Sequence, residues 1–341
     1  MPRLTNDSSK IEHPVPLAVG ATDPVQIEKP ERRQLVDKED TMLVAHLALC
    51  FPLAWVLPER WWPPIANAIA SALAPFRRKD HRKTRDAIRS VFGARTPPVP
   101  PEMLPRRLHA MALIESMQHL RSYRPGGWAP QTDVIGSEHI DKALKEGKGA
   151  ILWITDFIFS TLVTKIALNR AGYRLMHLSR PEHPMSKTKF GRRFLNPIVT
   201  RLERRYLDQR ILIDDSQLTA GMRTLWRRLK SNGVISITVG NESRQTVQIP
   251  ILDGHINLAK GAPKLAVASG APLLPVSTLR RDDGGFVTTI GAPLEFSRDG
   301  LPDEVSERAM RRYVERLEPL LIEAPHLWYD WSELITPRPT L

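Results

Sequence analysis

From about residue 135 onward the chain alternates short apolar runs with longer amphipathic ones. The short runs predict strands at 149–155, 173–178, 210–213 (RILI), 233–240 (GVISITVG), 272–279 (PLLPVSTL) and 285–291 (GFVTTIG). Between and after them, helical periodicity predicts helices over 137–146, 159–171, 186–206, 217–230, 258–269 and 302–323. Strands alternating with helices of this length predict an α/β domain, a layered, largely parallel sheet flanked by helices. In such sheets chemistry collects at the carboxyl ends of the strands.

The first half reads differently. Residues 1–38 are polar, charged and proline-interrupted, and read as a flexible tail. Residues 42–57 carry no formal charge but contain Pro52, and Glu59-Arg60 end the run. A clean membrane crossing needs about 20 apolar residues, so this run is short. Trp55, Trp61 and Trp62 followed by Arg77, Arg78, Lys79, Arg82 and Lys83 fit an interfacial or re-entrant element on an anionic leaflet. The competing reading is a core helix hairpin that covers the rest of the domain. Helices at 80–96 and 106–123 follow, separated by TPPVPPEMLP. The expected organisation is therefore a tail at 1–38, a membrane-associating helical segment at 39–78, the α/β domain at 79–335 and a short tail at 336–341.

Charge narrows the partners. The net charge of +12 calls for anionic ones, whether acidic lipid headgroups, an acidic carrier or nucleic acid. No helix-turn-helix, aromatic RNA signature or paired Cys/His pattern accompanies it, so no nucleic-acid partner is expected. Cys50 is the sole cysteine, which leaves no disulfide framework and no thiolate metal cluster.

Candidate chemistry gathers at the strand ends. The stretch AILWITDFIFSTL sets Asp156 where the first long strand gives way to a helix. A carboxylate in such apolar surroundings is costly without a partner. Other strand ends supply Ser179, Arg180, Glu182 and His183, then Asn241, Glu242, Ser243 and Arg244. Asp253, His255 and Lys260 lie in the next crossover. Carboxylates, arginines and histidines on one rim suit a phosphorylated acyl donor and a proton transfer during acyl transfer. Each residue also has a plainer reading as a surface charge, a turn or a packing group. There is no Walker loop, dinucleotide glycine fingerprint or nucleophile elbow.

The order of HRKTRDAIRSVFG, GSEHIDKALKEGKGAILW, LSRPEHP, GVISITVGNES, VQIPILDGHINLAKGAPKLAVASGAPLLPVSTLRR and LEPLLIEAPHLWYDW resembles the lipid A late acyltransferase family, the lauroyl and myristoyl transferases, within the wider glycerolipid acyltransferase fold. The resemblance covers about residues 40–335. It implies transfer of a fatty acyl group from acyl carrier protein, or a comparable thioester such as acyl-CoA, to a hydroxyl of a lipid-like or specialised acceptor. An amine acceptor belongs to the reading in which Asp156 is itself the base. It places the reaction at the cytoplasmic face of the bacterial inner membrane, against an anionic membrane surface, and needs no metal or cofactor. The family chemistry uses a His followed five residues later by an acid. Here Asp156 stands at the His position and Thr161 at the acid position. Arg180, before Pro181, matches a strand-end Arg-Pro of the family. Glu242 is the nearest match to its acidic cluster, with Asn241 and Arg244 beside it as substrate contacts. Three readings follow from the departure: Asp156 is itself the base, a histidine such as His177, His183 or His255 enters from elsewhere, or the chain is a catalytically inactive homologue that binds lipid, acyl chains or carrier protein.

Overall fold

The computed structural model of the protein describes residues 34–179, 186, 188–212, 218–240 and 246–334. Its strands are β1 (Thr132–Ile135), β2 (Ala150–Ile154), β3 (Leu175–Ser179), β4 (Gln209–Leu212), β5 (Val234–Thr238), β6 (Thr246–Ile251), β7 (Gly254–Ala259), β8 (Leu273–Arg280) and β9 (Phe286–Ile290). Seven of them form one sheet in the order β1-β9-β8-β2-β5-β3-β4, while β6 and β7 make a separate antiparallel hairpin. Every neighbouring pair in the large sheet is parallel except β8 with β9. The expected α/β architecture with a mostly parallel sheet holds.

The sequence explains why β2 lies at the centre. All five of its residues are apolar and buried, as a parallel strand covered on both faces requires. Strand alternation sends Ile151 and Trp153 into one core. Ala150, Leu152 and Ile154 enter the other, with Ile140 and Ala143. Trp153 stacks at 4.4 Å on Tyr313.

The helices are α1 (Lys38–Val56), α2 (Trp62–Leu73), α3 (Arg78–Phe92), α4 (Leu104–Arg121), α5 (Glu138–Lys145), α6 (Ser160–Arg170), α7 (Asn196–Glu203), α8 (Leu218–Lys230), α9 (Gly261–Ser269) and α10 (Pro302–Glu323). Asp37 caps α1 in a reciprocal box with Asp40, and the helix continues through Pro52. α1 and α2 both pack on α4. α1 buries Leu47, Cys50 and Ala54 while Met42, Val44, Leu49 and Phe51 stay exposed. It is long and apolar enough to cross a membrane by length and composition, with 22% of its apolar window buried.

Two expectations need revision, and one strand was not foreseen. The single helix expected at 186–206 is broken into a π turn at Gly191–Leu195, α7, and a tight turn at Arg204–Tyr206. Pro197 lies in the first turn of α7, where its missing N–H costs nothing, so the helix restarts there. The helix expected from 258 begins at Gly261, because residues 254–259 pair with β6. Gly254 starts that strand where the chain passes close to the Leu334 carbonyl; a Cβ there would lie 2.0 Å from that oxygen. The short β1, alternately half-buried and exposed, carries too weak an apolar pattern to be foreseen.

A buried ion pair ties α6 to α7. Lys165 Nζ donates to Glu203 Oε1, and Arg210 Nε stands 3.8 Å from Glu203 Oε2. Lys165 and Glu203 are both nearly sealed from solvent. Glu203→Ala is expected to lower unfolding free energy in urea by about 3–5 kcal/mol, because it leaves a buried cation unpaired. The Lys165→Met, Glu203→Leu double variant should recover only part of that loss, since the buried Arg210 still loses its contact with Glu203.

Candidate functional site

The strand-end expectation for Asp156 is met. β2 ends at Ile154, whose carbonyl accepts from Val239 N–H at 2.8 Å. Thr155 N–H donates to the Val276 carbonyl at 2.8 Å, and Thr155 Oγ1 lies 2.9 Å from Tyr313 Oη. Asp156 follows, partly buried at the exit of the sheet. Its charge helps to hold the proton on Lys165, Tyr313 and Tyr329. These three therefore lie within electrostatic reach of the position where the sequence placed its chemistry.

The turn from β2 into α6 is tightly held. Phe157 bridges to Trp328, and Ile158 N–H donates to the Leu327 carbonyl at 2.8 Å. Ser160 Oγ donates to the Phe157 carbonyl at 2.6 Å. Phe159 has φ 78°, a left-handed conformation rare for a bulky side chain. Such strain persists where the surroundings over-determine it, and it clusters at functional sites. Here the Phe159 N–H donates to Glu115 Oε1 at 2.8 Å, and the Phe159 ring meets Phe286 edge to face at 5.4 Å. Tyr329 Oη donates to the other oxygen of Glu115. Burial raises the Glu115 carboxyl above its ordinary value, against the lowering effect of these two donors.

A cavity of about 760 Å³ adjoins this turn. α1 lines it with Met42, Leu43, His46 and Leu49, and Leu73 of α2 adds to the apolar wall. α4 contributes His109, Ala112, Leu113, Glu115, Ser116 and His119. Phe76 and Arg77 stand on its margin, while Thr161, Val199 and Tyr329 complete the far wall. Met42 and Phe76 are exposed, so the apolar space runs from the outer face of α1 toward the 156–161 turn.

Three histidines face this cavity, each in a different state. His46 Nε2 lies 2.7 Å from Ser116 Oγ. Burial and the Arg77 charge depress His109 to about 4, and its Nδ1 is buried without a hydrogen bond. His119 is 7% exposed, and its side chain makes no hydrogen bond among the described residues. Burial pushes its imidazole down to about 4, with Glu203 raising it and Lys165 lowering it further.

Of the residues singled out in the sequence, the structure brings Asp156 and Thr161 to one turn, with Thr161 on the cavity wall. Arg180, Asn241, Glu242, Arg244, Glu182, His183 and Ser243 lie outside the described residues. His177 Nδ1 lies 2.9 Å from Ser236 Oγ, in register with Leu152 inside the sheet and not at its edge. His255 faces Pro250 across the β6–β7 hairpin. Sequence reasoning missed Glu115, His119, Lys165, Glu203 and Tyr329. One signal was present: Glu115 and His119 stand four residues apart in a helical segment, which places both on one face.

With the geometry in hand, comparison with known proteins gives one result. The family model for bacterial lipid A biosynthesis acyltransferase matches residues 30–331. No curated protein matches significantly.

The depressed His119 has a consequence for stability. As pH falls from about 6.5 toward about 4, the unfolded chain takes up a proton on this residue before the folded one does. Stability from this group is therefore complete above about 6.5 and declines to about 4, by about 3 kcal/mol in total. Urea unfolding across that window should show wild type losing more stability than His119→Gln. Parallel pH profiles would refute the assignment.

Proposed function

The chain belongs to the bacterial lipid A biosynthesis acyltransferase family, and from that premise we propose that it transfers a fatty acyl group from a carrier-protein or CoA thioester to a lipid-like or specialised acceptor at the inner membrane. The observation that carries this reading is the largely apolar cavity of about 760 Å³ whose wall includes Thr161. Each methylene taken from water into such a space contributes about 0.8 kcal/mol, so a long acyl chain supplies ample binding energy. Asp156 and Thr161 frame the reaction centre, and Arg180, Asn241, Glu242 and Arg244 hold the polar parts of the substrates. The fold is read as that of glycerolipid acyltransferases.

Membrane attachment is read from α1 and α3. Exposed Met42, Val44, Leu49, Phe51, Trp61 and Phe76 form the apolar side. Arg78, Lys79, Arg82 and Lys83 are exposed nearby and suit anionic headgroups. We read 39–78 as the segment that lies against the cytoplasmic leaflet, 79–335 as the α/β acyltransferase domain, and 1–38 and 336–341 as tails. The Leu49→Glu, Phe51→Glu variant should reduce flotation with phosphatidylglycerol-containing vesicles by about tenfold or more. Undiminished flotation would remove the interfacial assignment.

The activity is tested with purified protein, acyl thioesters of several lengths, and hydroxyl and amine acceptors, with product detected by mass spectrometry. Wild type is expected to form ester or amide, and Asp156→Ala to lose it while remaining folded. Ala112→Trp fills the cavity and should shift preference to shorter chains, by about fourfold for each methylene excluded. Tight binding of thioesters with no transfer to any acceptor would establish the inactive, acyl-binding homologue instead.

A further inference from the structure

Acyl transfer needs a group to take the acceptor's proton, and the strand end offers only an acid and a threonine. We propose that His119, presented by α4 on the cavity wall that it shares with Thr161, takes that proton and so restores from a neighbouring helix the imidazole missing from the strand end. This inference rests on the acyl-transfer reading and deepens it.

Position is the first argument. The Glu115–Phe159 hydrogen bond fastens α4 to the turn that carries Asp156 and Thr161. His119 lies one helical turn beyond Glu115 on the same face, so its Cβ is within about 6 Å of the Glu115 Cβ. His109 lies further back along α4, on the other side of Glu115 from His119. His46 belongs to α1 and is occupied by Ser116. Of the three cavity histidines, His119 is the one that shares its helix face with Glu115, the residue bonded to the turn.

The second argument is its chemical state. The His119 ring nitrogens are not sealed away as His109 Nδ1 is, so they are open to a group that enters the cavity. His119 faces a cavity sized for a substrate and has no partner of its own among the described residues. Burial keeps it unprotonated at neutral pH, so a ring lone pair is available. A depressed imidazole is a modest base in isolation. In the reaction, however, its imidazolium forms beside a developing oxyanion in an apolar cavity, where opposite charges attract strongly. Glu203 already favours the charged form.

The step balances without a further reactant. The acceptor oxygen attacks the thioester carbonyl carbon while its proton passes to a ring nitrogen of His119. The tetrahedral intermediate then collapses, the C–S bond breaks, and the imidazolium returns the proton to the departing sulfur. The products are an ester (or, from an amine acceptor, an amide) and a free thiol.

The test compares wild type, His119→Gln and His119→Ala in the transfer assay with dodecanoyl-pantetheine, with near-UV circular dichroism as the fold control. The expected result is a fall in kcat of about 10²-fold or more with KM for the thioester little changed, and partial recovery of His119→Ala by added imidazole. A packing role would not produce rescue by imidazole. If wild type transfers and His119→Gln keeps its rate within about threefold, the His119 assignment is overturned while acyl transfer stands. If wild type transfers nothing, both fall together. Should the variants not fold, carbethoxylation of wild type mapped by mass spectrometry decides: activity lost in proportion to modification at His119, and protected by dodecanoyl-pantetheine, supports the assignment. Full activity after modification at His119 overturns it.

Discussion

The hydrogen bond from the Phe159 amide to the Glu115 carboxylate holds the rest of the site in relation to the sheet. It spans two layers that have no covalent reason to meet, a helix of the N-terminal group and the exit of the central strand. Phe159 is in a backbone conformation that bulky residues avoid, so the turn needs outside support. The carboxylate gives that support from one oxygen and holds Tyr329 with the other. An acid buried in this way would be a liability if either donor were missing. With both in place it orients α4, and the cavity takes its shape from that orientation.

Below the turn lies a second polar system that is nearly closed to solvent. Asp156 acts electrostatically on Lys165, Lys165 is paired with Glu203, and Arg210 approaches Glu203 from β4. Burial lowers the Lys165 ammonium below its ordinary value, and Glu203 opposes that shift. The cluster acts on the cavity through His119, which lines it and whose imidazole feels both Glu203 and Lys165.

The sheet was legible because its central strands are continuous apolar runs with helices between them, and Asp156 was legible because a charge interrupts such a run. β1 was not, being four residues long with alternate exposure at the sheet edge. The break within 186–206 was missed because periodicity does not register one proline that restarts a helix. The site was half visible. Asp156 and Thr161 follow from strand order, whereas Glu115 and His119 acquire meaning only when α4 is folded against the turn, a contact over 44 positions for Glu115 and Phe159. A helix face reveals which residues share a side, but not which strand end that side will meet.

One wall of the cavity is also part of the molecule's exterior. α1 lines the space with Met42, Leu43 and Leu49, and the same helix turns Val44 and Phe51 outward. A single rigid element thus faces two environments at once. Any ligand whose occupancy depends on how α1 is seated becomes thermodynamically linked to any surface that grips α1 from outside. Linkage of this kind is reciprocal: if the outer contact changes occupancy by some factor, the occupant changes the outer contact by the same factor. Loading and attachment would then be two readings of one equilibrium.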